Sequence, residues 1–266
     1  MITEIKGLHH VTSMARDAAE NNHFFSRTLG LRRVKQTVNF DAPDVYHLYY
    51  GDEVGTPGTV MTHFPFPHIA RGRPGVGEVG TTVFSVPQGS LSYWQERLAA
   101  DRVGDLELSE SFGEKRLRFR APEGDALALV EKGGDSRLPW TGNGVDAEHA
   151  IRGFHSAALR LRDGGATEEL LKFMGYQNAD SAGNIHRLIR PDGNAANTID
   201  IEVLPDANRA DLGAGSAPVS EAMAWWFSSG RLSSSRPRRC SFRWLSRERW
   251  KTTTPSPRSQ IGRAHV

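Results

Sequence analysis

Cysteine is almost absent from this 266-residue sequence. The single Cys240 excludes an internal disulfide, so any core has to hold by packing alone. No run of about 18 apolar residues occurs, which argues against a membrane-spanning helix. The N-terminus lacks the basic-then-apolar pattern of a secretion signal, and a cytoplasmic location is expected. No P-loop or G-x-S-x-G string is present. The one G-x-G-x-x-G match, Gly75 to Gly80, follows a linker and precedes a strand, so it lacks the strand–turn–helix setting that a dinucleotide site needs.

The small net charge of +2 conceals an uneven distribution. Residues 217–266 hold ten Lys/Arg against Glu221 and Glu248, which makes that segment +8 and the remainder −6. The same segment holds four of the six tryptophans and shows no period of 2 or 3.6. A basic, tryptophan-bearing tail could bind nucleic acid by phosphate attraction and base stacking. Arginine and tryptophan also rise together in a misread frame, and no nucleic-acid partner is expected.

What is present is a repeat. Gly7-Leu8-His9-His10-Val11-Thr12 reads as a strand, followed by a helix capped by Asp17 and closed at Gly30. Strands are expected at 34–38, 46–50 and 59–64. A second unit opens near Thr82, with a helix after Ser90 and strands over 106–110, 117–120 and 126–131. A third opens at Gly153-Phe154-His155, with a helix capped by Thr167 and strands over 184–190 and 198–204. Openings near 10, 82 and 155 give a period of roughly 70 residues, long enough for small βαβββ domains that must pack in pairs to cover their apolar faces. The fold class is α+β. The expected domains are 1–68, 77–135 and 150–206, with a degenerate fourth module over 213–266 that is frameshifted or disordered and leaves the first module's apolar face without its partner.

These units resemble the vicinal oxygen chelate superfamily of glyoxalases, bleomycin-resistance proteins and extradiol dioxygenases. The strings Val34-Lys35-Gln36-Thr37-Val38-Asn39-Phe40-Asp41, Tyr46-His47-Leu48-Tyr49-Tyr50-Gly51-Asp52, Pro57-Gly58-Thr59 and Phe64-Pro65-Phe66-Pro67 resemble its hydroquinone-type ring-cleaving dioxygenase branch. That resemblance implies a cytoplasmic oxidoreductase of aromatic-compound degradation, built from four modules. It implies Fe(II), with Mn(II) as the alternative ion, held between the first and fourth modules by two histidines and a glutamate. A small aromatic substrate of hydroquinone or catechol type and O₂ would share the open coordination positions. Position by position, His10 matches the metal ligand of the first module, while His9 and Thr12 match catalytic groups behind the metal or against the substrate. No membrane partner is implied, and a homo-oligomer stays open.

The sequence departs from the branch after Gly213-Ala214-Gly215-Ser216. Where a Val-His-His string would open the fourth module stands Ala217-Pro218-Val219-Ser220, and the next histidine is His265. Residues from about 217 therefore read as a shifted reading frame, and Ile261 to Val266 resembles a translated sequencing adapter. Two metal ligands would then be missing and the chain inactive as written. The other readings are a non-catalytic small-molecule binding protein of the glyoxalase/bleomycin-resistance type, and a second metal cup formed by His155, Glu131 and Glu202. His63 and His68 are expected in a loop, and His47 as a sheet residue with a hydrogen-bonded ring.

Overall fold

A computed structural model describes residues 5–219 and the backbone of the strand 223–227. The first module runs β1 (Ile5–Ala15), α1 (Ala18–His23, continuing as a π turn over Phe24–Thr28), β2 (Arg32–Val38), β3 (Tyr46–Gly51) and β4 (Val60–Pro65). The second runs β5 (Glu78–Val86), α2 (Leu91–Ala100), β6 (Gly104–Ser111), β7 (Glu114–Arg120) and β8 (Ala126–Glu131). The third runs β9 (Gly153–Leu161), α3 (Gly165–Phe173), β10 (Gln177–Ala182), β11 (Ile185–Ile189) and β12 (Thr198–Val203), and β13 spans Met223–Phe227.

The βαβββ unit thus occurs three times, as its sequence period implies. Asp17 caps α1 as expected: its carboxylate accepts the backbone N–H groups of Ala19 at 2.7 Å and Glu20 at 2.9 Å. Asp17→Ala is expected to lower stability by about 1 kcal/mol, read as a shift of the denaturant midpoint at constant slope. Thr167, by contrast, lies inside α3 and is not its cap. The helix begins at Gly165, whose N–H donates to Asp163 at 2.9 Å. The strand β10 has no counterpart in the sequence reading, because all six of its residues are exposed and carry no apolar alternation.

Modules pair through their opening strands. β5 and β9 run antiparallel at the centre of one eight-stranded sheet, ordered β10-β11-β12-β9-β5-β8-β7-β6. The first module forms a five-stranded sheet, β13-β1-β4-β3-β2, in which β13 runs antiparallel to β1. β13 therefore stands to β1 as β9 stands to β5. The rest of the expected fourth module lies outside the described residues, and so does the change of reading frame beyond Val219.

The helix-facing sides of both sheets share one apolar core. Leu8, Val11, Phe25, Leu48, Tyr50 and Met61 from the first module join Phe84, Trp94, Leu129, Phe154 and Ile199 from the others. His63 lies in β4 on this side, fully buried with its ring 4.4 Å from that of Phe25, and not in a loop. β4, expected over 59–64, is buried on both faces, so a polar His63 within it gave no sign of which side it faces.

Two glycines lock the modules to one another. Gly7 and Gly153 occupy the same place in β1 and β9, each at φ +140°, a conformation that L side chains rarely adopt. Gly7 lies against Asn194 and the carbonyl of Ala196 in the third module's turn. Gly153 lies against the Gly58 carbonyl and Thr59 in the first module's turn. The Asn194 amide donates to the Leu8 carbonyl at 3.1 Å, and the Phe154 N–H donates to the Gly58 carbonyl at 2.8 Å. The contact is reciprocal: each module's turn covers the other's opening glycine.

Candidate active-site face

Strand register places the candidate residues on the face of the first sheet turned away from α1. Three rows cross it. His10 stands beside Val60. Thr12, Thr62, Tyr49 and Lys35 form a second row, and Met14, Phe64, His47 and Thr37 a third. Side-chain contacts bear out this geometry. The Thr62 hydroxyl donates to Thr12 at 2.8 Å, Tyr49 and the His47 Nδ1 share a hydrogen bond of 2.8 Å, and the His47 ring lies 4.0 Å from that of Phe64. The Lys35 ammonium sits 5.5 Å over the Tyr49 ring. His47 is a sheet residue with a hydrogen-bonded ring, as its sequence context suggested. Its place on this face, together with Tyr49, escaped that reading, although the alternation Tyr46-His47-Leu48-Tyr49-Tyr50 carries the signal.

His9 and His10 meet at the start of β1, with their Nδ1 atoms 2.9 Å apart and their rings edge-on. The cause is a register shift. Leu8 pairs with Trp225 and His10 with Ala224, so His9 is left over as the extra residue of a bulge. Burial holds the His10 imidazole down to about 4, with His9 and His47 adding to the shift, and burial also lowers His9. A neutral imidazole is the form that can ligate a metal. Followed by NMR, the His10 ring should titrate with a midpoint near 4, well below the usual 6.5. The unfolded chain takes up that proton first on acidification, so His10 contributes stability that is complete above about pH 6.5 and lost as pH falls towards 4.

His10 has no partners for a facial triad among the described residues. Among the described residues no three His, Cys, Asp or Glu side chains gather in metal-binding geometry. The backbone position opposite His10 on β13 is Ala224, a residue type without a donor atom. Val219, where the branch pattern would put its second histidine, pairs by its N–H with the Gly77 carbonyl and lies outside the β1–β13 ladder. The described residues thus do not by themselves fit an Fe(II) centre.

The residues of the alternative cup go to three separate partners. Glu131 accepts from the N–H of Leu91 at 3.0 Å and from Gln88 at 3.1 Å, at the start of α2. Glu202 pairs with Arg160 at 3.0 Å. His155 turns to Glu114 at 2.9 Å. His155 is itself the bulged residue of β9, between Phe154, paired with Phe84, and Ser156, paired with Val83. It is the counterpart of His9, and Ser156 is the counterpart of His10. The cup between the second and third modules is filled by its own ion pairs. Arg187 grips Asp200 at 2.7 and 2.9 Å and Glu114 at 2.8 Å, and Arg116 reaches Glu114 at 3.0 Å. An internal guanidinium thus sits among the carboxylates of this cup.

Two cavities, of about 280 and 560 Å³, lie elsewhere. The smaller is lined by Glu78, Asp125 and Arg160, and neither is lined by His10. No helix among the described residues is long and apolar enough to cross a membrane.

Paired βαβββ modules of this form define the vicinal oxygen chelate fold. Maize glyoxalase I shares it, with a TM-score of 0.57 at 13% identity over 79% of this chain and 72% of that one. A solved dioxygenase structure from Bacillus subtilis is much nearer, with a TM-score of 0.78 at 37% identity, covering 84% of this chain and 70% of that one. No family model matches the sequence. Among curated proteins, the B. subtilis ring-cleaving dioxygenase homologue MhqE is 45% identical over 69% of this chain and 60% of its own length, and MhqO is 38% identical over 81% and 68%. A chlorohydroquinone/hydroquinone 1,2-dioxygenase from Sphingobium indicum is 34% identical over 82% and 70%. The chain belongs to the ring-cleaving dioxygenase family of the vicinal oxygen chelate superfamily. It spans 60–70% of the length of these relatives.

Proposed function

We propose that the chain derives from a ring-cleaving dioxygenase acting on a hydroquinone- or catechol-type aromatic, and that its first sheet carries the aromatic-binding half of the site. The observation that carries this reading is the neutral, half-buried His10 beside Thr12 on a face shared with Tyr49 and His47. In the family reading His10 is the first-module ligand of Fe(II), with Mn(II) as the alternative ion. When bound, such a metal brings O₂ and the phenol together. This chain's own residues would orient the ring. Thr12, held by Thr62, offers a hydroxyl beside the His10 position, and His9 packs edge-on against His10 and fixes its ring.

The described residues provide one ligand, so the chain as it stands is proposed to bind aromatics without turning them over. A binding protein of the glyoxalase/bleomycin-resistance type is the second reading, favoured by the missing ligands. The test is oxygen uptake with Fe(II) and hydroquinone. No uptake above buffer is expected from this chain. A chain with the family's fourth module restored should consume oxygen and lose at least a hundredfold of that rate on His10→Ala. Uptake by the chain as written would overturn the single-ligand reading, and a restored chain indifferent to His10→Ala would overturn the assignment of His10.

A further inference from the structure

Resting on that reading, we infer that Tyr49, held in place by His47, is the group that recognises the far hydroxyl of the aromatic, and so selects para-dihydroxy rings over their ethers. Tyr49 shares a transverse row with Thr12, two strands away across β4. Two strand spacings are roughly 10 Å. That span suits a dihydroxylated benzene ring lying across the face with a hydrogen bond at each end.

Neighbouring side chains fix the tyrosine. Its hydroxyl shares a 2.8 Å hydrogen bond with the His47 Nδ1 and a second with Thr37. With the His47 proton on Nε2 the tyrosine is the donor to Nδ1, and one oxygen lone pair is left for an incoming O–H. Lys35 covers one side of its ring, and the His47 ring packs at 4.1 Å from it with Phe64 behind. His47 accepts a cost to stand there. Its Nε2 is buried with no hydrogen-bond partner, and burial, His63 and Lys35 all disfavour its charged form. An unpaired buried nitrogen is destabilising, and a leucine would fill this half-apolar place without that penalty. The imidazole is explained if its task is to aim the tyrosine hydroxyl. His47 is thus a positioning residue, and Tyr49 the residue that meets the ring.

The experiment measures binding of hydroquinone and of 1,4-dimethoxybenzene to the full chain by calorimetry, without oxygen and with EDTA present. The outcome is then independent of turnover, and failure of the dioxygenase reading in the oxygen-uptake assay is a separate result. Tyr49→Phe is expected to weaken hydroquinone at least fivefold and leave the dimethyl ether unchanged. His47→Leu should reproduce that loss, and His47→Gln, which keeps an acceptor for the tyrosine, should recover most of it. Equal weakening of both compounds would mark a structural role and overturn the inference. Unchanged hydroquinone affinity in Tyr49→Phe, or no hydroquinone binding by the unmodified chain, would overturn it as well.

Discussion

Arg187→Met is expected to lower the unfolding free energy by about 3–5 kcal/mol, read by chemical denaturation at neutral pH. Removing one member of a buried ion pair strands the other, and the stranded charge costs more than the pair contributed. Arg187 is 5% exposed and Asp200 2% exposed, so water cannot replace the lost guanidinium at Asp200. The pair joins β11 to β12, and its second arm reaches Glu114 on β7 across the seam between the second and third modules. Replacing Arg187 and Asp200 together by apolar residues should cost much less than the single change, because no charge is then left alone. Equal costs would show that the loss comes from packing and not from the stranded carboxylate.

The same cluster sets an acid limit. Burial alone would raise the Glu114 carboxyl, but the hydrogen bonds and charges of His155 and Arg187 outweigh it and hold the group well below the usual carboxylate range. A depressed carboxyl contributes stability that is complete above its unfolded value of about 4.3 and is lost as the pH falls further. Glu114→Gln should therefore flatten the acid limb of the stability profile below pH 4, besides lowering stability at pH 7. An unchanged slope on that limb would remove Glu114 as its cause.

Gly7→Ala is the second large effect, a loss of about 2–4 kcal/mol together with a loosened opening strand. An alanine Cβ would meet Asn194, and would lie 2.7 Å from the backbone carbonyl of Ala196, which cannot swing aside as a side chain could. The strained φ of +140° adds to the cost. Gly7 lies two residues before His9, so the strain falls on the bulge that sets the histidine pair. The His10 titration midpoint should move upward as its burial relaxes. Gly77→Ala serves as the comparison: it too has positive φ, at +93°, but nothing lies within 4 Å of its Cβ, so it isolates the backbone term from the clash.

Much of this was legible in the sequence, for identifiable reasons. Asp17 and Gly30 punctuate the first helix, and the opening Gly-x-His pattern recurs at residues 7–9 and 153–155, so the repeat showed itself locally. Other features were hidden by distance or by exposure. Glu114 and Arg187 are 73 residues apart, and no spacing rule joins them. β10 reads as a loop because neither of its faces is covered. The Gly-x-His pattern aligns His155 with His9, but that both are bulged residues shows only in the registers of β1 and β9, because a bulge depends on the partner strand as much as on its own residues.

That shared bulge separates inheritance from chemistry. The same irregularity interrupts both opening-strand ladders, at Leu8/His10 and at Phe154/Ser156. Both copies here bring a histidine to the bend, and the next residue diverges, His10 in one and Ser156 in the other. Ser156 belongs to a module pair whose cup holds the buried Arg187, bonded to Asp200 and Glu114, so the same backbone bend serves a cup of ion pairs on one side and a pair of imidazoles on the other.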